Sequence, residues 1–507
     1  MNNQLKAGAV LNYFIIVLNA VVGLLYTPYM LRTLGQSEYG LFSLVASVIS
    51  YLTILDLGMG NAIIRYTAKF RAEGKQEEQY EMFGMFLVLY IVIGLISIIV
   101  GMGLYFNVDS MFGQTMTVEE LGKARIMMLI LIFNLAVTFP MSIFGSIMTA
   151  YERFVFPRII NILRIVLNTV VMIVLLHLGY RAIAMVVVQT IFNVATLIIN
   201  YIYCKYSLQI KIYFRRFNWS FLKEVAIYSF WILLNVIMDR VYWSTGQFVL
   251  GAVSGTIAVS VFAVAIHLQG MYNQFSSAIS SVFLPRVTAM VTRDSKDEEL
   301  SNLFIKTGRI QFILMCFILC GFIVFGKPFI NLWAGPEYED AYIISILFFV
   351  SLIIPLIQNL GITILQAKNQ MKFRSLVYIA IAALALVLEI VFAKKWGGIG
   401  CAIAIAGALF LGQGIIMNIY YNNKQHINIA KFWGEIFKMS LIPATVVIIF
   451  KFIYKGYAFD SWGTLFLHML FFSLIYIPFI FLFGMNKNER TLFLGPVKRV
   501  IRKTKRG

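Results

Sequence analysis

Asn161, Arg164 and Asn168 stand three and seven residues apart, a spacing that on a helix places one guanidinium between two amides on a single face. A guanidinium fork binds phosphate oxygens in bidentate fashion, so this pattern suits an anionic, phosphate-bearing ligand. Arg65 falls at the same expected depth and could receive the same group, with snorkelling to an interface as the competing reading. Asn235 and Asp239 lie one helical turn apart, while Arg240 points about 100° around the helix from Asp239, so those two neighbours cannot pair face to face. They suit a substrate or coupling-ion site, or ion pairs with another helix.

Two further acids stand in apolar surroundings. Asp56 occurs in a run with Gly58, Gly60 and Asn61, where glycines permit close helix approach or local unwinding, and Glu389 stands alone in a long apolar stretch. Asp56, Asp239 and Glu389 are the candidate ion or proton sites, although Asp56 equally fits a buried hydrogen bond in helix packing. His267, Gln269, Tyr272, Asn273, Gln274, Ser276, Ser277, Ser280 and Ser281 fall within one stretch that lacks Lys, Arg, Asp and Glu. Hydroxyls and amides of this kind suit sugar hydroxyls, and a helix so polar must line water or its neighbours.

The elements that carry these residues are membrane helices. Sixty percent of the 507 residues are hydrophobic and 13% charged, far from the quarter charged of a soluble domain. Uncharged runs long enough to cross ~30 Å of hydrocarbon recur along the chain. Expected spans are 8–30, 39–64, 82–106, 124–148, 159–178, 182–204, 225–250, 256–285, 306–330, 341–366, 375–393, 398–420, 436–454 and 463–484. The thirteenth is crowded by Glu435, Lys438 and Lys451. Ten-residue alternating strands are absent, which argues against a transmembrane barrel. An ionisable group inside such a span costs about 2.5 to 3.5 kcal/mol on insertion scales, so each tends to face a cavity or a partner.

Lys and Arg favour one set of loops by about three to one, which places both termini, Lys75, Lys296 and the tail after Gly484 in the cytoplasm. The net charge of +19 is therefore a topology signal with attraction to anionic lipid, and nucleic acid is not an expected partner. The first apolar run is too long for a signal-peptide core and is expected to remain as a span. Cys204, Cys316, Cys320 and Cys401 lie in or beside apolar runs and read as buried thiols. Neither a P-loop, an HExxH metal pattern nor a glycine-rich dinucleotide fingerprint occurs, so no cofactor is expected beyond Na+ or H+ for coupling. Loops too short to fold alone leave no room for a catalytic domain, and the chain is not expected to be an enzyme.

The chain also matches itself at an offset of 216 residues. Phe14, Ile16, Leu18, Asn19 and Tyr26 fall on Phe230, Ile232, Leu234, Asn235 and Tyr242, Leu34-Gly35 on Leu250-Gly251, Gly145 on Gly361, and Arg158 on Arg374. Pro140 and Pro355 are one residue out of register. The expected fold is therefore an all-α polytopic membrane protein with about fourteen helices, in two pseudo-symmetric six-helix lobes plus two C-terminal helices. The expected segments are an N-lobe at 1–204, a cytoplasmic linker at 205–222, a C-lobe at 223–420, a helix pair at 421–484 and a basic tail at 485–507.

Leu34-Gly35, Tyr39-Gly40-Leu41, Leu55-Asp56-Leu57-Gly58, Arg65-Tyr66, Tyr151-Glu152-Arg153-Phe154 and the run from Trp396 to Ala404 resemble Wzx-type polysaccharide flippases. The similarity covers nearly the whole chain and implies membership of the MOP superfamily, which also contains MATE multidrug exporters and lipid II flippases. It implies a substrate, an undecaprenyl-pyrophosphate-linked O-antigen or capsule repeat unit, moved from the cytoplasmic to the outer face of the bacterial cytoplasmic membrane. Polysaccharide polymerase and chain-length proteins are the implied partners, and a monomer is expected. Arg65, Asn161, Arg164, Asn235, Arg240, Gln269, Asn273 and Gln274 are the expected substrate-binding residues. A MATE-like, cation-coupled drug exporter is the alternative, kept alive by Asp56 and Asp239.

Overall fold

The computed structural model describes residues 2–215, 218–293, 296–368, 370–457 and 459–491. Arg216 of the expected linker and residues 492–507 of the expected tail lie outside these, as do the side chains of Ser280 and Ser281. Among the described residues there are helices and turns and no strand. The helices are α1 (Asn2–Ser50), α2 (Met59–Ala72), α3 (Gln76–Phe106), α4 (Val108–Phe112), α5 (Val118–Ala150), α6 (Val155–His177), α7 (Ala182–Tyr206) and α8 (Trp219–Thr292). They continue with α9 (Asp297–Trp333), α10 (Ala341–Ile357), α11 (Asn359–Ala367), α12 (Met371–Leu409), α13 (Met417–Lys424), α14 (Ile429–Ile453) and α15 (Trp462–Phe479).

Ten described helical stretches are long and apolar enough to cross a membrane, and the bent pair α10 and α11, at 40°, makes one more. Three of the ten, Ala7–Ala72, Leu233–Ser277 and Met371–Lys424, are interrupted at Gly35, Gly255 and Gly397. Each is long enough for two passes, and counted so the chain has the expected complement of about fourteen. Apolar side chains cover the outside as well as the inside: α6 exposes Ile159, Leu163, Val166, Leu167, Val170 and Val174. In water that surface would be a liability, and in lipid it is what a span needs.

The interruptions repay attention. Gly35 has φ 77° and Gly255 φ 80°, a backbone region that glycine enters without steric cost, so each ends one pass and starts the next. The sequence offset pairs Gly35 with Gly251, but the break falls one turn later. Gly251 is committed elsewhere: a Cβ there would stand 2.6 Å from Leu44, and its carbonyl accepts a 2.6 Å hydrogen bond from Thr115 Oγ1.

The chain packs as two compact units, Met1–Ala263 with Tyr378–Cys401, and Val264–Val377 with Ala402–Gly507. In the first, Ile63, Tyr66, Phe83, Phe86, Ile143 and Ile147 anchor a core between α2, α3 and α5. The stretch after α7 straps onto α3, where the Tyr213 amide donates to the Tyr80 carbonyl at 3.1 Å and Gly84 leaves space for the Tyr213 carbonyl. In the second, α9 packs with α10, α14 and α15 around Phe304, Phe325, Phe432 and Phe472. The thirteenth expected span is the full-length α14, and Glu435, one of the charges that crowded it, is occupied by an ion pair with Arg309.

Candidate functional site

Arg164 is half-buried on α6 and donates to Asn193 Oδ1 of α7 at 3.4 Å. The Asn193 amide in turn donates to Asn134 Oδ1 and Thr138 Oγ1 of α5, both at 2.8 Å. Asn134 and Thr138 are one turn apart on α5, so one amide on α7 fixes both and holds its own oxygen toward the guanidinium. Among the described residues no carboxylate pairs with Arg164. A cation in a membrane helix with one long bond to a neutral amide keeps most of its five donors available to an anion. The adjacent Asn161 is half-buried, and Asn168 has a buried oxygen without a hydrogen-bond partner. The sequence reading missed Asn134, Thr138 and Asn193; amides within the fourth and sixth spans were the available signal.

The other expected residues divide by environment. Asp56 Oδ1 accepts a 3.1 Å hydrogen bond from Tyr90 of α3, the helix-packing bond named as its competing reading. Arg65 is exposed, with its guanidinium 5.7 Å from the Tyr66 ring centroid. On α8, Asn235 and Arg240 are half-buried and Asp239 is exposed. Arg240 leaves its Nε buried and unpartnered.

Glu389 of α12 is fully buried, and neither carboxylate oxygen has a hydrogen-bond partner. It packs over Gly246 of α8, with Tyr51 and Tyr242 within electrostatic reach. Beside it, Tyr51 and Thr245 share a 2.5 Å hydrogen bond, and Ser50 donates to Ser244 at 2.9 Å. A carboxylate buried without a hydrogen-bond partner is costly unless a proton or a cation neutralises it.

In the second unit the polar eighth span is partly consumed by packing. Ser276 donates to the Leu356 carbonyl at 3.0 Å, Tyr272 to the Met315 carbonyl at 3.1 Å, and His267 stacks on Trp333 with centroids 6.1 Å apart. Gln269 is buried, Asn273 half-buried and Gln274 exposed. The same helix borders a pocket of about 290 Å³ walled by aromatic rings, among them Phe275, Phe317, Phe322, Phe329 and Phe472. Its polar groups are few, which suits a flexible hydrocarbon chain.

Among the described residues no group of His, Cys, Asp and Glu could hold a metal ion. Charged and amide side chains inside a many-span helical membrane protein mark candidate positions for a substrate or an ion. A family model described as polysaccharide biosynthesis protein matches residues 29–343, and the chain belongs to that family. It is similar to the lipid II flippase MurJ in an inward closed conformation, with a TM-score of 0.73 and 16% identity over 97% of this chain and 99% of that one. It is also similar to an inward-facing MATE multidrug transporter, with a TM-score of 0.65 and 14% identity over 83% of this chain and 99% of that one. In sequence it is 22% identical over 499 residues to the membrane protein EpsK of Bacillus subtilis (strain 168), covering 96% of each chain.

Proposed function

We propose that this protein flips undecaprenyl-pyrophosphate-linked oligosaccharide repeat units from the cytoplasmic to the outer face of a bacterial cytoplasmic membrane. The observation that carries the reading is Arg164, an intramembrane guanidinium with an amide for support and no carboxylate partner among the described residues. Such a group recognises a pyrophosphate far better than a drug cation. Arg240, with its unpartnered Nε, serves as a second station, and Arg65 gathers anions at the entrance. Asn161, Asn235, Gln269, Asn273 and Gln274 meet the sugar hydroxyls. The aromatic pocket beside α15 suits part of the prenyl tail.

The two six-helix lobes, 1–204 and 223–420, rock about the substrate, with 421–484 as an added pair and both termini in the cytoplasm. Cysteine labelling of Lys75, Lys296 or the tail from outside would overturn that orientation. Transport draws on a sodium or proton gradient through Glu389 and Asp239, with Asp56 tied to Tyr90 as a lesser candidate. The chain works as a monomer beside the polymerase and chain-length proteins of its pathway.

The competing reading, a MATE-like exporter of cationic drugs, draws support from the exposed Asp239. A deletion strain separates the two: a flippase mutant loses surface polysaccharide and accumulates lipid-linked repeat units on the inner face, whereas an exporter mutant gains drug sensitivity. Normal surface polysaccharide with drug sensitivity would sink the flippase.

A further inference from the structure

Three chain segments of the first unit meet at one carboxylate. Glu120, at the start of α5, accepts through Oε1 from Ser37 Oγ at 2.6 Å and from Thr256 Oγ1 at 2.8 Å. Its Oε2 accepts from the backbone amide and the hydroxyl of Thr117, at 2.8 and 3.0 Å. The Thr117 contacts close a capping box on α5, which keeps the carboxylate in one orientation. Ser37 follows the break of α1 at Gly35 by two residues, and Thr256 follows the break of α8 at Gly255 by one. The carboxylate therefore ties together the glycine turns that break α1 and α8.

The surfaces around it touch backbone to backbone. Gly40 lies so close to the Thr256 carbonyl that no Cβ fits between them, Gly251 meets the Leu44 side chain, and Thr115 donates to the Gly251 carbonyl at 2.6 Å. No ion pair joins α1 or α5 to α8 here among the described residues. By contrast, Lys123 on α5 pairs with Glu38 of α1 at 2.5 Å, and Glu38 also accepts from the Ala182 amide of α7 at 3.2 Å. The joint with α8 is thus made of hydroxyl bonds that water can replace and of close glycine contacts.

The geometry points to Glu120 as a latch: with Ser37 and Thr256 it holds the turn of α8 against α1 and closes the outward end of the transport path. This inference rests on the reading that the chain moves cargo outward, since in that scheme α8 belongs to one lobe and Ser37, Thr115 and Glu120 to the other. A latch must let go once per cycle. Hydrogen bonds to one charged group can hold a closed state and still be exchanged for water when the lobes part.

The test uses the full chain in intact cells. Ser47, buried on α1 one turn inward of Leu44, donates only to the Leu44 carbonyl, so Ser47→Cys is a nearly isosteric reporter. The four native cysteines are buried and set the background in the parent protein. A membrane-impermeant thiol reagent applied outside is expected to label Ser47→Cys about tenfold faster when Glu120→Gln or Thr256→Val is added. Thr256→Val keeps the shape and leaves the α5 cap intact, so it stands if Glu120→Gln fails to fold. Unchanged labelling in Thr256→Val at normal abundance would overturn the latch. So would a rise seen only from the cytoplasmic face. Labelling is read apart from flipping: faster labelling upholds the latch whatever the cargo proves to be, and lost flipping with unchanged labelling defeats the latch and leaves the transport reading untouched.

Discussion

Arg164 and Arg309 are the same residue type at helix positions inside or at the edge of the membrane, and they are housed in opposite ways. Arg309 of α9 is buried and saturated. Its Nε and one terminal nitrogen fork onto Glu489 at 2.6 and 2.9 Å, another donates to Glu435 of α14 at 2.7 Å, and the Gly484 carbonyl lies at 3.2 Å. Glu489 is itself fixed, accepting from the Asn486 amide while Asn486 Oδ1 accepts from its own. Arg164 has one bond of 3.4 Å to an amide. A guanidinium whose donors are mostly spent on carboxylates is an anchor, and one whose donors are mostly unspent is a receptor. Arg309 fastens α14 and the segment after α15 to α9.

The comparison predicts that the two arginines fail differently. Arg309→Ala leaves Glu489 buried without its partner and is expected to cost about 3 to 5 kcal/mol. Membrane-inserted protein should fall steeply, while the flipping that remains per molecule stays near normal. Normal abundance with lost activity would make Arg309 a receptor after all. Arg164→Ala is expected to do the reverse, keeping abundance and abolishing flipping per inserted molecule, with partial rescue by Arg164→Lys because charge returns without the fork. Full specific activity in Arg164→Ala would remove the phosphate site.

A sharper form of the test puts a carboxylate where Arg164 has none. Asn193→Asp retains the size of the side chain and offers the guanidinium a charged partner at the position of the present amide oxygen. If Arg164 receives the substrate, this internal partner competes with it, and flipping per inserted molecule should fall several-fold, beyond any loss of abundance from the two bonds that the amide donates and a carboxylate cannot. Asn193→Leu should instead cost about 1 to 3 kcal/mol through the lost bonds to Asn134 and Thr138. Equal activity in Asn193→Asp and the wild type would break the contrast between anchor and receptor.

How far this contrast was legible in the sequence follows from what a linear reading can see. Arg164 announced itself because a charge in a long apolar run is rare, and its flanking amides fell on one face. Asn193 and Asn134 did not, since lone amides in other spans carry meaning only when folding brings them together. Arg309 was visible as a charge at a span edge, but its partner Glu489 lies 180 residues away in what reads as a plain basic tail. Asp56 was legible as an acid in apolar surroundings, and its bond to Tyr90 was not. The helix count was readable from apolar run length. The glycine break at 255 rather than 251 was not, because Leu44 and Thr115, distant in sequence, claim Gly251.

The smallest predicted effect tests whether the anchor is graded. Glu489 is 1% exposed and Glu435 37% exposed, although both lie within 2.7 Å of the same guanidinium. Water screens the second pair and can take over its role, so removing Glu435 leaves no orphaned buried charge: Arg309 keeps the Glu489 fork and the Gly484 carbonyl. Glu435→Gln is therefore expected to cost up to about 1 kcal/mol, against several for Glu489→Gln, read as the shift in thermal unfolding of the detergent-solubilised protein. The double variant should cost more than the two single variants added together, because with both acids gone the buried guanidinium at Arg309 loses every anionic partner. Strict additivity would mean that the carboxylates act independently, and a loss for Glu435→Gln as large as that for Glu489→Gln would mean that exposure does not set the strength of this anchor.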